Sequence, residues 1–264
     1  MADADLSPVA ALVRRHDPDR FLTALFAPAE RREALFTLYA FNHELARARE
    51  AVSEPVLALI RLQWWREVIE GMAKRHEVAT PLSGLLERGV LSPGDLLPLV
   101  DAREVEADPA IATLAEWRAW LLAGAGGLAV AAGRVLGADD AEALRPLGAA
   151  YGVAGVLRSV PVLARAGRCL LPLDVLGGHG LTAEAAIAAP DAPAVGAVRR
   201  ALAREGALLL DAARGVRLPR GVVAAALPAV LARRDLRRPD APAAPRGAGD
   251  RLAVMWAGVT ARLG

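Results

Sequence analysis

Carboxylates with helical spacing occur near residue 50, where they could bind a metal ion. Glu50 and Glu54 are four residues apart, and Glu44 lies further upstream in the same segment. Residues at positions i and i+4 project from one face of a helix, and carboxylate oxygens suit Mg²⁺. Glu54 precedes Pro55, however, which predicts that the helix ends there. Two interpretations stay open: an acidic metal-binding face, and a solvated or ion-paired helix end.

Other residues with reactive side chains show weaker patterns. The four histidines are scattered without the paired spacing of metal ligands, so the sequence predicts no metal site built from them. Ser159 has no evident His and Asp partners, which argues against a nucleophile. Two tryptophan pairs, Trp64-Trp65 and Trp117/Trp120, could form a ligand wall, but their helical spacing is also what core packing produces.

Composition favours a single all-α domain of 264 residues. Apolar residues make up 54% of the chain and aromatic residues only 4%, a balance typical of packed helices and unlike that of a β-sandwich. The pI of 9.2 accompanies a formal charge of only +2, and no basic strip interleaved with aromatic residues is present. We therefore expect no nucleic-acid binding.

Cysteine content and the chain's apolar segments bear on compartment. Cys169 is the single cysteine, which excludes a disulfide framework and fits a reducing compartment. The first residues are acidic and lack the apolar core of a secretory signal. The uncharged stretch 119–133 is shorter than the roughly 20 residues of a membrane span, which predicts a buried core helix. These features predict a cytoplasmic protein, with peripheral membrane attachment left open.

Helical periodicity extends through the chain, with proline and glycine at the expected helix ends. A proline- and glycine-rich stretch, 238–249, is predicted to link the domain to a C-terminal helix. That helix, with Met255 and Trp256, is interpreted either as a packed terminal helix or as a partner or membrane contact. The predicted helices cover residues 8–16, 18–26, 28–50, 55–72, 81–88, 93–106, 109–136, 139–163, 182–188, 193–213, 219–234 and 250–262.

Tyr39-Ala40-Phe41 precedes a polar helical turn, and Arg61-Leu62-Gln63-Trp64-Trp65-Arg66 follows about 20 residues later. This arrangement resembles the start of proteins of the squalene/phytoene synthase family, and it is the first of three motifs in register that carry the likeness. The segment 99–104 is similar to the family's middle acidic helix. The segment 151–172, with its small residues and Gly-Arg-x-x-Leu-Pro ending, is similar to the second signature. The resemblance covers most of residues 20–175 and implies the all-α prenyl synthase bundle around a central cavity.

In that family two Asp-x-x-x-Asp motifs face each other across the cavity and hold Mg²⁺ against a substrate diphosphate. The resemblance places the first pair at positions 46 and 50 and the second at 159 and 163. This chain has Ala46, Glu50, Ser159 and Leu163 there, with Arg47 beside the first pair. Leu163 is no metal ligand. We therefore predict a pseudoenzyme without catalytic residues, resident metal or cofactor, in which Mg²⁺ would matter only if catalysis were retained.

The resemblance also suggests which residues would line the altered pocket. Replacement of an acid by Arg47 could turn a magnesium-binding pocket into a directly cationic one, because arginine binds phosphate or carboxylate without a metal. The opposing interpretation is that Arg158, Arg165 and Arg168 only form ion pairs with Glu50, Asp101 and Glu104. The candidate pocket residues are Tyr39, Arg47, Glu50, Arg158, Ser159, Arg165 and Arg168.

The segment from Asn42 to Glu54, followed by the Trp64-Trp65 run, resembles the branch of the family that contains the mitochondrial complex I assembly factor. This likeness implies a non-catalytic role in assembly of respiratory complex I at the inner face of a membrane, with complex I subunits or assembly intermediates as partners. Two alternatives stay open. One is a prenyltransferase that condenses two isoprenoid diphosphates, and the other is a protein that binds an isoprenoid or anionic lipid in the old cavity.

Overall fold

The computed structural model describes residues 6–50, 55–108, 110–241 and 244–263. Within these ranges the chain is helical and contains no β-strand, which confirms the predicted all-α class. The α-helices are α1 (Pro8–His16), α2 (Pro18–Ala24), α3 (Ala29–Glu50), α4 (Pro55–Ile69), α5 (Ala79–Glu87), α6 (Pro93–Glu104), α7 (Leu114–Leu121), α8 (Gly127–Val135), α9 (Arg145–Arg165), α10 (Leu173–Gly178), α11 (Ala183–Ala188), α12 (Pro193–Ala212), α13 (Val223–Ala226), α14 (Pro228–Leu236) and α15 (Ala248–Thr260).

Local sequence explains where many helices begin. Ser7 and Ser92 cap α1 and α6, each followed by a proline whose fixed φ suits the first helical turn. Asp17 caps α2 and ion-pairs with Arg20 in the same turn. Thr113 and Glu116 form a reciprocal capping box at the start of α7. These side chains accept hydrogen bonds from the first backbone amides of each helix, which would otherwise be unsatisfied.

Helix α9 is the central element of the bundle. It packs against α12 on one side, α14 on another, and the segment between α7 and α8 on a third. Together with the preceding turn it forms a helix, Glu142–Arg165, that is long and apolar enough to cross a membrane by length and composition. More than half of the apolar part of this helix is buried inside the protein, as expected for a core helix. The core around it is dominated by leucine, valine and alanine.

The predicted helix over 109–136 has an unexpected interior. Its middle, Leu122–Gly126, forms a π-helical turn between α7 and α8. Glycines of α9 allow this turn to approach closely, because a Cβ at Gly148 would lie 2.5 Å from the carbonyl oxygen of Ala125. A Cβ at Gly152 would lie 2.6 Å from the Ala125 methyl group. Most of the stretch 119–133 is thus buried, as the sequence predicted, with Ala119 exposed and residues 122–125 and 127 partly buried.

Two further differences from the sequence prediction concern the C-terminal half. The short helix α10 was missed, since six residues with two glycines carry no clear helical period. The segment predicted as a linker is fastened at Arg246, whose guanidinium lies 2.8 Å from Asp19 Oδ2 and 2.7 Å from Asp235 Oδ1. This double ion pair connects α2, α14 and the residues that lead into α15.

Candidate functional site

The central cavity has a volume of about 230 Å³ and lies between α3, α6, α7 and α9. Trp120, Leu163 and Leu170 give it apolar walls, and Gly124, which belongs to the π-helical turn, faces it. A π-helical turn widens the helix locally and is often found at functional sites. This cavity is therefore the candidate ligand-binding site.

Ala46 from α3 and Ser159 and Leu163 from α9 all line this cavity. These are three of the four positions where the family resemblance predicts that two facing acidic motifs meet. The fourth position is occupied by Glu50, the last residue of α3, whose side chain lies outside the described part of the structure. The structure therefore brings the three described positions of the predicted register to one space.

One carboxylate and two arginines dominate the polar wall of the cavity. Glu106 is 5% exposed, and its Oε1 accepts a 2.5 Å hydrogen bond from Arg103. Arg103 also donates to Asn42 Oδ1 at 3.1 Å. Arg168 donates to the Glu106 backbone carbonyl at 3.4 Å, and its Nη2 lies 3.9 Å from Glu106 Oε2. The charge of the buried Glu106 carboxylate is therefore balanced by Arg103 and Arg168, without a metal ion.

Arg20 contributes a third guanidinium to the cavity, from α2. It forms a 2.7 Å ion pair with Asp17 and lies over the Tyr151 ring, with its Cζ 4.8 Å from the ring centroid. Tyr39, a predicted site residue, lies below Arg20 in the core, where burial raises the pKa of its hydroxyl to about 12. Tyr39 therefore lies next to Arg20 but is not among the residues that line the cavity.

The remaining predicted residues are not brought together. Arg158 points away from the cavity into a second cleft, where it donates to the Ala244 carbonyl at 2.8 Å and pairs with Asp235 at 3.3 Å. Arg165 is exposed at the end of α9. Arg47, Arg158 and Arg165 therefore do not share one pocket with Arg168, contrary to expectation. Arg47 and Arg158 each stand one residue from a cavity-wall position, and neighbouring residues on a helix face different directions.

The acids expected to pair with the pocket arginines are also used differently. Arg66 of α4 binds both Asp101 and Glu104, at 2.6 and 2.8 Å. Within the described ranges neither acid forms an ion pair with a candidate pocket arginine. Arg168 is held by Glu106, a residue that was not among the predicted partners.

Arg47 lies in a separate cleft between α1 and α3, with a volume of about 600 Å³. The imidazole rings of His16 and His43 stack there with centroids 4.4 Å apart. Burial, then the neighbouring His16, lowers the pKa of His43, and its Nε2 is buried without a hydrogen-bond partner among the described residues. The pairing of these two histidines was missed, since 27 residues separate them in the sequence.

The tryptophans divide between a role in the core and a role in the cavity wall. Trp65 is buried in an aromatic cluster with Phe41, Trp64 and His76, with edge-to-face contacts of 4.8 to 5.5 Å. Trp117 is fully buried and donates from Nε1 to the Leu170 carbonyl at 2.9 Å. Trp120, one turn further along, is a cavity wall. Three of the four are therefore packing residues.

Magnesium does not fit the residues of this cavity. Mg²⁺ needs several oxygen ligands, and the described cavity residues offer one carboxylate that already pairs with arginines. No cluster of three or more His, Cys, Asp or Glu side chains able to hold a metal occurs in the described ranges. What the cavity does offer is three guanidiniums beside apolar walls, an arrangement suited to an amphipathic anion.

Sequence reasoning missed Arg20, Arg103 and Glu106. The i, i+3 spacing of Arg103 and Glu106 was visible, directly after the acidic segment that resembled the family. Nothing local in the sequence indicates that Arg20 reaches the cavity, because its position depends on how α2 packs.

Comparison with known proteins agrees with this architecture. The profile of the squalene/phytoene synthase family matches residues 13–247. A dehydrosqualene synthase structure superimposes with a TM-score of 0.76 at 14% identity, covering 96% of this chain and 94% of that chain. The squalene synthase HpnC from Alicyclobacillus acidocaldarius superimposes with a TM-score of 0.65 at 18% identity, covering 96% and 92%.

Relatives found by sequence similarity are described as assembly factors, whereas the similar structures are described as synthases. The chain is 32% identical over 181 residues to a Rattus norvegicus protein and 30% identical to a Homo sapiens protein, both described as NADH dehydrogenase (ubiquinone) complex I, assembly factor 6. Each match covers 66% of this chain and 54% of the relative. The chain therefore spans about half the length of these relatives.

Proposed function

This chain belongs to the squalene/phytoene synthase family, and from that premise we propose that it is a non-catalytic member that assists assembly of respiratory complex I. The proposed partners are complex I subunits or assembly intermediates. The proposed location is the cytoplasm, at the inner face of the membrane in which such a complex resides. No cofactor is required for this role.

The observation that carries the proposal is the composition of the cavity wall. Ala46, Ser159 and Leu163 occupy the positions where metal-binding aspartates are expected, and they line one cavity. Ionisation of an allylic diphosphate depends on metal ions that draw charge onto the leaving group. Among the described residues of the cavity, the buried carboxylate of Glu106 is committed to Arg103 and supplies no replacement for those ligands.

The sequence relatives supply the positive half of the proposal. Proteins from rat and human that share 30% or more identity over 181 residues are described as complex I assembly factors. The identity extends over two thirds of this chain, whereas the two synthase structures share only the fold at 14 and 18% identity. Similarity in sequence thus favours the assembly role over the synthase role.

Absence of catalysis is tested with purified protein, Mg²⁺ and farnesyl or geranylgeranyl diphosphate. We expect no release of diphosphate above a no-protein control, while an active dehydrosqualene synthase assayed in parallel releases it. Turnover that depends on Mg²⁺ and on the chain would overturn the non-catalytic half and favour the prenyltransferase.

The assembly role is tested by deleting the gene in its host and measuring membrane NADH:quinone oxidoreductase activity. We expect a loss of this activity and of assembled complex I on native gels, with succinate-driven respiration unchanged. Restoring the wild-type gene should restore both. Normal complex I in the deletion strain would refute the assembly role, whatever the enzyme assay shows.

A second candidate function, binding of an isoprenoid or anionic lipid, is favoured by Arg20, Arg103 and Arg168 beside the apolar wall. Such ligands should raise the melting temperature of the wild-type protein. Gly155 lines the cavity, and a Cβ there meets no atom within 4 Å, so Gly155→Leu should fill the cavity without disrupting the fold. Ligand stabilisation that persists in Gly155→Leu, or is absent from the wild type, would count against this candidate.

A further inference from the structure

Helix α15 exposes a continuous apolar stripe to solvent. Leu252, Met255, Trp256 and Val259 are 62, 49, 72 and 69% exposed. Their spacing of i, i+3, i+4 and i+7 places them on one face of the helix. The opposite face, with Val254 and Ala257, is buried against α13 and α14. The helix is therefore apolar on both sides, and only its inner side is covered by the protein.

Isolated exposed apolar residues are common on protein surfaces, but this stripe differs from them. Leu208 on α12 and Val162 on α9 are exposed to a similar degree, yet each stands alone on its helix. Contiguous exposed apolar residues generally mark a surface that binds something. Trp256 is the most exposed side chain of the stripe, and tryptophan is enriched where one side of a surface is apolar and the other is wet.

The charge around α15 indicates what the stripe contacts. Residues 214–264 contain ten arginines and three aspartates and neither lysine nor glutamate, a net charge of +7 in a chain whose total is +2. The preceding 213 residues therefore carry −5. Positive charge is thus concentrated in the same fifth of the chain that exposes the apolar stripe.

Several of these arginines lie at the two ends of the helix. Arg234 near the end of α14 forms an ion pair with Asp250 at the start of α15, with Nε and Oδ1 2.6 Å apart. This contact brings the end of α14, with exposed Arg237 and Arg238, beside the beginning of α15. Arg251 and Arg262, both exposed, lie near its two ends. In the described ranges no carboxylate forms an ion pair with Arg237, Arg238, Arg251 or Arg262.

An apolar stripe with tryptophan, bordered by arginines that lack carboxylate partners in the described ranges, is complementary to a bilayer with anionic headgroups. Apolar side chains enter the acyl boundary, while guanidiniums remain at the level of the phosphates. We propose that α15 lies in the plane of an anionic phospholipid membrane, inserting Leu252, Met255, Trp256 and Val259, with the surrounding arginines on lipid phosphates. This inference is independent of the assembly role, because it is drawn from the exposed face of α15 and the arginines around it.

Co-sedimentation with lipid vesicles tests the proposal. The full chain should bind vesicles of phosphatidylcholine mixed with phosphatidylglycerol and bind pure phosphatidylcholine weakly, with binding to the mixture reduced by salt. Trp256→Gln should weaken binding roughly tenfold, because the side chain no longer inserts. Arg237→Gln and Arg238→Gln should each weaken it about fivefold, from loss of one charge near the surface.

Leu208→Gln is the matched control, since it removes an equally exposed apolar side chain from α12 and should leave binding unchanged. All these positions are exposed, so circular dichroism and melting temperature should match the wild type. Equal binding to neutral and anionic vesicles would overturn the role of the arginines, and unchanged binding of Trp256→Gln would overturn the insertion. Failure to bind any vesicle, with a Trp256-dependent dimer in light scattering, would assign the stripe to a second copy instead.

Discussion

The central cavity and the cleft between α1 and α3 are both lined by arginines, but these arginines differ in how they are paired. In the cavity Arg103 and Arg168 converge on the buried Glu106, and Arg20 is held by Asp17. In the cleft Arg47 is half exposed, and its one ion pair within the described ranges is a 3.4 Å contact with Glu44. The cavity arginines are therefore each paired with a carboxylate of the protein, whereas Arg47 in the cleft is exposed to solvent.

This difference illustrates how a helical bundle can persist without the acidic ligands of a metal site. The cavity keeps its shape, with Ala46, Ser159 and Leu163 as small or apolar walls, and its polar groups satisfy one another. The cleft lies outside that set of contacts and retains a buried imidazole nitrogen without a partner in the described ranges. Stability measurements should therefore separate the two regions clearly.

The largest effect is expected from breaking the cavity ion pairs. Glu106→Ala removes a buried carboxylate from the partly buried guanidiniums of Arg103 and Arg168 and should lower the free energy of unfolding by about 3 kcal/mol. The matched change in the cleft, Arg47→Ala, removes one exposed ion pair and should cost less than about 1 kcal/mol. Urea denaturation measures both. Equal costs would show that the cavity charges are as solvated as those of the cleft.

A smaller effect is expected from the packing behind the cavity. Gly148→Ala forces a methyl group against the Ala125 carbonyl oxygen and should destabilise the protein by about 2 kcal/mol. Gly155→Ala, on the same helix with no atom within 4 Å of its Cβ, should instead stabilise by about 0.5 kcal/mol because alanine favours helix. If the two variants melt at the same temperature, the close approach to the π-helical turn is not maintained in solution.

The smallest effect belongs to the cleft and depends on pH. Burial, then the neighbouring His16 and Arg47, lowers the pKa of His43, while Glu44 and Asp17 oppose the shift. Arg14, Arg15 and Glu77 also line the cleft. Below the ordinary histidine pKa of 6.5 the unfolded chain binds a proton that the folded chain resists. Stability contributed by neutral His43 is thus complete above that pH and is lost as pH falls towards the lowered value.

Thermal melting across this pH range tests that sign. His43→Gln should melt with a weaker dependence on acidification than the wild type, whereas the exposed His179→Gln should follow the wild type. If the melting temperature of His43→Gln fell more steeply with falling pH than that of the wild type, protonated His43 would stabilise the fold, contrary to the lowered pKa.

Much of the fold could be predicted from the sequence, because capping residues and helical periods act locally. Ser92 with Pro93 marked the start of α6 correctly, and the wall positions 46, 159 and 163 came from the register of three motifs. Side-chain direction could not be predicted in the same way. Arg158 precedes Ser159 by one residue, so it projects about 100° away around α9, towards Asp235.

Contacts between distant segments were also beyond the sequence. His16 meets His43 only because α1 packs along α3, and Arg20 reaches the cavity only because α2 turns back at Asp17. Neither arrangement has a local signal, since both depend on tertiary packing. The cavity and the cleft could therefore be located only in part from the residues.

The π-helical turn at Leu122–Gly126 has a consequence for insertion and deletion in this chain. A π turn holds one more residue than the α-helical turn it replaces, so the extra residue is absorbed without rotating α8 relative to α7. Deleting one residue there would restore a regular α-helical turn, whereas deleting one residue from a regular helix rotates everything on one side by about 100°. The buried residues Leu128, Ala131 and Val135 would therefore keep their neighbours, as would Trp117 and Trp120. A one-residue deletion within these five residues should thus be tolerated better than one elsewhere in α7 or α8, and its main effect would be on the cavity wall at Gly124.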